Sequence, residues 1–292
     1  RAHAGIHYPA TTKTDAAQGQ GQSMEVEAWV DGDHAKVTFA ESNNPILAEG
    51  TYLLTNDGGQ TLYLVNPEEK TYSPFALGPI VGGAGAMLKG MGAMVKFSFS
   101  NQKVEKLGEE AGPAILGYKT THYRFRTAYD FELKVMGMGQ SSHNETVTDT
   151  WATTELSDRG FGAWLRREPR STGIADLDAM IANDVTKSIQ GVPLKVVAVT
   201  KSKDQRGRET TATTTMEVTA MKEETVPAAA FAMPKGYERT ELVAAMPAVP
   251  GTEKGLARGG PQSRSVSGPA GGPSLARCLL FAPRMVRGNA PR

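Results

Sequence analysis

Residues 121–133, T-H-Y-R-F-R-T-A-Y-D-F-E-L, decide the fold class of this chain. The odd-numbered side chains are Thr121, Tyr123, Phe125, Thr127, Tyr129, Phe131 and Leu133, and the even-numbered ones are mostly charged. Successive side chains of a strand point to opposite faces of a sheet, so the alternation predicts a strand with one dry side and one wet side. Its length indicates a large sheet in a β-rich protein.

Two hairpins are predicted before this strand. Segments 24–30 and 35–39 alternate on either side of Asp31-Gly32-Asp33, and segments 51–55 and 61–65 flank Asn56-Asp57-Gly58-Gly59. Glycine tolerates the positive φ that tight turns require, so both connections favour hairpins. Segments 146–154, 194–200 and 210–221 are rich in Thr and Val, as strands tend to be. We expect about ten or eleven strands, most of them antiparallel.

Two short helices are predicted as well. Residues 79–94 place Met87, Met91 and Met94 at helical spacing, but each glycine there costs about 1 kcal/mol relative to alanine, so a mobile loop is an equal interpretation. A second helix, capped by Ser171 or Thr172, ends at Gly191-Val-Pro193. Its apolar stripe would cover a sheet and consists of Leu177, Met180, Ile181, Val185 and Ile189.

The charge distribution divides the chain into a domain and a tail. Residues 250–292 carry six Arg and one Lys against one Glu, whereas the other 249 residues carry 25 basic and 30 acidic groups. We expect a folded domain at 1–246 and a disordered, basic, Gly/Pro/Arg-rich tail at 247–292. An acidic domain argues against nucleic acid as a partner. No apolar run of about 18 residues exists, so we expect a protein peripheral to a membrane rather than spanning it.

The sequence contains no recognisable catalytic or metal-binding pattern. The five histidines are dispersed, and no Gly-x-Ser-x-Gly or His-Glu-x-x-His occurs. His122 is expected on a solvated polar face beside Arg124 and Arg126, with an anion site as the alternative. The methionines suit Cu(I), but they also fill irregular apolar space, which is the favoured interpretation. We therefore predict no enzyme, no metal and no cofactor; Cys278, the single cysteine, lies in the tail.

The balance of strands and helices predicts an apolar cavity. Two short helices cannot cover the apolar face of so large a sheet, which favours a curved antiparallel sheet, an open half-barrel with the helices over its concave side. A well-packed sandwich without a cavity is the alternative. The predicted ligand-binding residues are strand side chains, with Met87 and Met91 as a pliable lid: Leu53, Leu62, Leu64, Phe97, Phe125 and Phe131.

Several segments of the sequence resemble segments of an uncharacterised family of bacterial secreted proteins. They include Glu-Ala-Trp29-Val-Asp-Gly-Asp, Leu64-Val-Asn-Pro-Glu-Glu-Lys-Thr-Tyr72, Gly191-Val-Pro-Leu-Lys195 and Phe231-Ala-Met-Pro-Lys-Gly-Tyr237. That family is similar to the periplasmic lipoprotein-carrier superfamily typified by LolA, LolB and RseB. The likeness covers residues 3–240 and rests on turns and strand starts.

The resemblance implies a half-barrel with a hydrophobic cavity and no catalytic residue. We expect a periplasmic, outer-membrane-associated or secreted protein that binds a lipid or acylated peptide, with a leader peptide outside the given chain. The alternative is a structural or sensor protein that recognises an envelope polypeptide through its sheet edge or outer face and has no cavity.

Overall fold

The described part of the chain forms one continuous β-sheet. A computed structural model describes residues 5–16, 21–44, 47–59, 61–74, 95–135, 138–156 and 189–240. All of its strands belong to a single thirteen-stranded sheet. They are β1 Gly5–Ala16, β2 Gln22–Asp31, β3 His34–Ser42, β4 Tyr52–Thr55, β5 Tyr63–Asn66, β6 Thr71–Pro74, β7 Val95–Ala111, β8 Thr121–Val135, β9 Met138–Thr153, β10 Val192–Asp204, β11 Glu209–Val218, β12 Lys222–Glu224 and β13 Glu238–Arg239.

The sheet is open. Its strands follow the order β13-β6-β5-β4-β3-β2-β1-β11-β10-β9-β8-β7, and β12 pairs with β1 beside β11. The pairings are antiparallel apart from that of β13 with β6, which is parallel. β7 and β13 end the order at opposite sides, so the sheet is not closed into a barrel. The predicted class, a mainly β fold built on a large antiparallel sheet, is confirmed.

Strand register assigns the side chains to two faces. Phe125 lies opposite Thr148 on β9, which lies opposite Ala198 on β10, and the series continues through Thr214 on β11 to Thr14 on β1. We call this side the apolar face. At its other end the face continues through Val37 and Leu53 to Leu64. The opposite side, which carries His7, Trp29, His122 and Trp151, is the charged face.

The core lies mainly on the apolar face. One buried cluster contains Ile6, Val30 and Leu194 of the central strands, and a second contains Phe39, Leu53 and other side chains of β2–β5. The charged face is covered at one end by the segment after β12. Its short 3-10 turn, Ala228–Phe231, places Phe231 against Leu54 and Val65. The same segment then adds β13 beside β6.

The structure confirms most of the predicted strands, but it contains more strands than predicted. The hairpins β2–β3 and β4–β5 and the long strand β8 lie where they were predicted. Thirteen strands form instead of ten or eleven, because β12 and β13 have only three and two residues and are too short to show a period. β9 begins at Met138, not at residue 146, and the predicted strand 210–221 corresponds to β11, which ends at Val218 before β12 begins at Lys222.

The predicted helices at 79–94 and 171–189 fall almost entirely outside the described residues, as do the domain boundary at 246 and the tail. Within the described ranges the helical element is the 3-10 turn at Ala228–Phe231. Over those ranges, no helix has the length and hydropathy needed to cross a bilayer.

The turn between β10 and β11 depends on the charge of Asp204. Its carboxylate accepts the backbone N–H groups of Arg206 and Arg208 at 2.9 Å and the Arg208 Nε at 2.7 Å. The Arg208 backbone hydrogen bond is the main reason that the pKa of Asp204 is lowered from 3.8. Because the charged form is favoured in the folded state, its stabilisation is present above pH 3.8 and is lost as the pH falls through the lower folded pKa.

We therefore expect Asp204→Asn to lower the melting temperature at neutral pH, by a difference that shrinks as the pH is reduced below 3.8. Melting curves of both proteins between neutral and strongly acidic pH test this. Asp15→Asn, an exposed position on β1, is the control. A difference that stays constant across the series would contradict the role of the Asp204 charge.

Candidate functional site

The apolar face is uncharged across the central strands of the sheet, whereas the edge strand β7 places Lys106 and Glu109 on it, paired with each other. In the described strands β8–β11 and β1–β5, register and alternation place one charged residue on this face, Asp204, at the end of β10. Tyr8, which also lies on this face, has a pKa raised by burial, so its phenol stays protonated. Such a surface suits an apolar or uncharged ligand and disfavours an ionic one.

The structure brings four of the predicted ligand-binding side chains to this face. Leu53 and Leu64 are directly opposite each other on β4 and β5, and Phe125 and Phe131 lie on β8. Leu62 joins Leu53 and Leu64 in the same buried cluster. Phe125 is buried against Tyr123, Ala152 and Ile189, whereas Phe131 is half-buried with its ring centroid 5.2 Å from that of Phe99.

The remaining predicted ligand-binding residues are less well placed. The backbone of Phe97 pairs with Leu133 between β7 and β8. Met87 and Met91, the predicted lid, lie outside the described residues. The leucines of β4 and β5 are far from the phenylalanines of β8 in the sheet. In the strand order, β4 and β5 lie seven and eight strands from β8.

Between these groups lies a band of buried and half-buried, uncharged polar side chains that we call the hydroxyl band. It crosses the apolar face from β1 to β8 and consists of Thr12, Thr14, Thr127, Asn144, Thr146, Thr148, Thr150, Thr200, Ser202 and Thr214. Thr150 is 2% exposed and Thr214 is 4% exposed, so the band belongs to the dry side of the sheet.

Part of the hydroxyl band is hydrogen-bonded across strands. The hydroxyls of Thr14 and Thr214 are 2.9 Å apart, and those of Thr146 and Thr200 are 3.0 Å apart. Ser202 donates its hydroxyl to the Asn144 Oδ1 at 2.7 Å.

Other polar groups of the hydroxyl band have no such partner. Among the described residues, no side-chain hydrogen bond is formed by Thr12, Thr127 or Thr150, although all three are buried. Gln22 lies opposite Thr14, and its buried Oε1 has no hydrogen-bond partner in the described structure. A buried polar atom without a partner is costly, which applies to the Gln22 Oε1. The hydroxyls of Thr12, Thr127 and Thr150 can donate to or accept from a polar ligand atom.

The hydroxyl band was not predicted from the sequence. The Thr-rich segments were interpreted only as strands, since threonine has high β propensity on either face. The alternation of Thr146, Thr148 and Thr150 does show that they share one face of their strand, but only the register of β8 with β9 shows that this is the face of Phe125.

The charged face carries the other polar cluster, around His122. The His122 Nε2 lies 2.7 Å from the Asp149 Oδ1, and its Nδ1 lies 3.2 Å from the Glu110 Oε1. The ring stacks on Trp151 with centroids 4.6 Å apart. His122 lies on the polar face beside Arg124 and Arg126, as predicted, but it is only 17% exposed. Because it is flanked by carboxylates, the alternative of an anion site is disfavoured.

A second histidine repeats this arrangement on the same face. His7 stacks on Trp29, its cross-strand partner, with centroids 4.8 Å apart, and lies between Glu27 and Glu224 at 4.0 and 3.7 Å. Nearby, the Lys36 Nζ lies 4.4 Å from the centroid of the Tyr52 ring, and burial lowers the pKa of Lys36. Both His–Trp pairs bridge neighbouring strands and are typical of cross-strand packing.

Two further features bear on the kind of site. In the described ranges, no group of three or more His, Cys, Asp or Glu side chains has the geometry to hold a metal ion. A surface depression beside the start of β2 is lined by Ser23, Glu41, Ser42, Asn43 and Glu49. This lining is polar and acidic, so the depression is not the apolar cavity expected from the sequence.

Comparisons with known proteins identify a family and similar solved structures. Residues 17–237 match the family described as "Domain of unknown function (DUF4412)". The chain is similar to the solved structure of a LolA superfamily protein from Nitrosomonas europaea, at 10% identity and a TM-score of 0.30, with 79% of this chain and 91% of that chain covered. An uncharacterized conserved protein from Thermus thermophilus is similar at 10% identity and a TM-score of 0.31, with 80% of this chain and 90% of that chain covered. No curated protein matches the chain.

Proposed function

We propose that this chain, which belongs to the DUF4412 family of domains of unknown function, is a non-enzymatic bacterial envelope protein that binds a hydrophobic ligand on its apolar face. The observation that carries the proposal is the absence of charged side chains from this face over the described strands β8–β11 and β1–β5, apart from Asp204. The ligand class is a lipid or an acylated peptide. Burial of its acyl chains would contribute about 25 cal/mol per Å² of apolar surface.

The width of the sheet supports a curved binding surface. Twelve strands follow one another in the pairing order, and neighbouring strands twist by roughly 20–25°. Strongly twisted open sheets rarely exceed about ten strands without curling. The proposed shape is therefore an open half-barrel with the apolar face on its concave side, lined by Leu53, Leu62, Leu64, Phe125 and Phe131, with Phe97 and the methionines Met87 and Met91 as further contacts.

The environment of His122 supports the non-enzymatic part of the proposal. A general base must keep one ring nitrogen free to accept a proton from the reacting group. Both nitrogens of His122 instead face carboxylates, Asp149 and Glu110, and the ring is stacked on Trp151. The cluster joins β7, β8 and β9, which is a structural role.

Location and domain organisation complete the proposal. The ligand-binding domain is 1–246, and 247–292 is a basic tail with a surplus of Arg. The protein would be periplasmic or associated with the outer membrane and peripheral to it, because an acyl chain must be taken from a membrane or from a lipoprotein.

A matched pair of variants tests the binding face. Met216 and Thr215 are neighbours on β11, both half-buried, and Met216 lies on the apolar face while Thr215 lies on the charged face. The probe is a pyrene-labelled acyl ester, whose fluorescence changes on entering an apolar site. We expect Met216→Asp to weaken binding by about tenfold or more, because it buries a carboxylate against the ligand, and Thr215→Asp to change it by less than about twofold.

His122→Ala serves as the second control and should also leave probe binding unchanged. Circular dichroism establishes that each variant is folded. If the parent protein does not bind the probe, or if both Asp variants weaken binding equally, the apolar face is not the binding site. Native mass spectrometry of protein purified from its own envelope would then identify the ligand class directly.

A second candidate function rests on β7. This edge strand has 17 residues and, among the described residues, pairs on one side only, with β8. Such an edge can accept an extended polypeptide as an additional strand. Lys103, Glu105 and a break in register between Ser100 and Lys103 are features that discourage nonspecific pairing. Crosslinking of an envelope polypeptide to β7, with no lipid bound, would favour this function.

A further inference from the structure

We infer that the ligand of the apolar face carries an uncharged polar group, an ester or hydroxyl, which is bound by the hydroxyl band; the inference rests on the proposed function. A site for acyl chains alone needs only apolar side chains. This face instead buries the Gln22 Oε1 without a hydrogen-bond partner in the described structure. It also carries Thr12, Thr127 and Thr150, which are buried residues whose hydroxyls form no side-chain hydrogen bond among the described residues. A ligand oxygen or hydroxyl supplies those partners.

The chemistry of the hydroxyl band favours a neutral group over an ionic one. Threonine and serine hydroxyls donate and accept, the Gln22 Oε1 accepts, and none of them balances a full charge. In the described strands β8–β11 and β1–β5, the apolar face provides no Lys or Arg for a phosphate and only Asp204, at the strand end, for a cation. Lys106 of the edge strand β7 lies on the same face opposite Phe125, but its ammonium is paired with Glu109. A charged head group would be desolvated without a counter-ion, which is strongly unfavourable.

The position of the hydroxyl band indicates how the ligand lies. The band extends from β1 to β8 across four inter-strand steps, which at about 4.8 Å each span roughly 19 Å. Purely apolar side chains lie on one side of it, including Met24, Val37, Phe39, Leu53 and Leu64. The acyl chains would extend over β2–β5, and the neutral head group would lie over the hydroxyl band, between β1 and β8.

Competition between lipids that differ only in head group tests the inference. Diacylglycerol, phosphatidylglycerol and a diacyl trimethylammonium lipid with the same acyl chains are each used to displace the pyrene-labelled ester. We expect diacylglycerol to compete about tenfold better than either charged lipid. Equal competition by the three lipids, or stronger competition by a charged one, would overturn the head-group inference and leave the proposed function intact. Failure of the parent protein to bind the ester would instead refute the proposed function.

Two nearly isosteric variants assign the preference to the hydroxyl band. Thr150→Val removes a hydroxyl from the apolar face without breaking a side-chain hydrogen bond, and Thr213→Val removes one from the charged face of β11. We expect Thr150→Val to reduce the preference for diacylglycerol by about threefold to tenfold and Thr213→Val to leave it unchanged. If Thr150→Val retains the full preference, the neutral group is bound elsewhere.

Discussion

Phe125→Ala is expected to lower the free energy of unfolding by about 3–5 kcal/mol, the range for a buried phenylalanine. Phe125 is 1% exposed and is in a cluster with Tyr123, Ala152 and Ile189, which join β8 and β9 to the start of the β10 region. Truncation removes the apolar surface of the ring and leaves a cavity that a β-sheet cannot easily close. Urea unfolding followed by circular dichroism gives the change directly.

The matched control is the next residue on the opposite face. The Arg124 side chain is 54% exposed, and its Nε lies 3.6 Å from the Asp149 Oδ1. Arg124→Ala should change the free energy of unfolding by less than about 1 kcal/mol, because an exposed ion pair contributes little. Comparable losses for Phe125→Ala and Arg124→Ala would show that β8 does not separate a dry side from a wet side.

Gly191→Ala is expected to destabilise the protein by about 3 kcal/mol or more. Gly191 has φ of 87°, a backbone conformation that residues with a side chain rarely adopt. A Cβ at this position would also lie 2.2 Å from the Thr153 carbonyl oxygen and 2.8 Å from the Thr154 backbone nitrogen. These atoms belong to the main chain at the end of β9, so relief requires the start of β10 to move. Differential scanning calorimetry measures the loss.

Gly207→Ala separates the two causes. Gly207 has a similar φ of 78°, but a Cβ there would have no neighbour within 4 Å. This variant should therefore lose only the conformational part, about 1–2 kcal/mol. If Gly191→Ala lowers the stability no more than Gly207→Ala does, the close approach of residue 191 to Thr153 makes no contribution to the stability.

The sequence predicted the turns and strand starts better than the contacts across the sheet. Gly191-Val-Pro-Leu-Lys195 was recognised as a break before a strand, and β10 begins at Val192. Gly32 was recognised as a turn residue, and its φ is 59°. These features depend on the backbone preferences of single residues, so they can be deduced locally.

The candidate site was predicted only in part. Phe125 and Phe131 were placed on a dry side by their alternation, and Leu53 and Leu64 were predicted to line the cavity; all four share one face of the sheet. Alternation within one strand cannot show which buried polar residues of another strand lie beside it. The hydroxyl band arises from the pairing of β1 with β11 and of β9 with β10, so the hydrogen bonds Thr14–Thr214 and Thr146–Thr200 could not be anticipated.

The sequence by itself determined that the chain is rich in strands, where its principal turns lie, and which side chains of a strand share a face. These properties follow from a period of two residues and from the conformational range of glycine. Only the tertiary structure decided that all the described strands join one open sheet, that His122 is held between Glu110 and Asp149, and that a nearly charge-free face carries a central hydroxyl band. The physical reason is register: neighbours such as β1 and β11 are about 200 residues apart in sequence, as the Thr14–Thr214 pair shows, and only folding sets which of their residues meet.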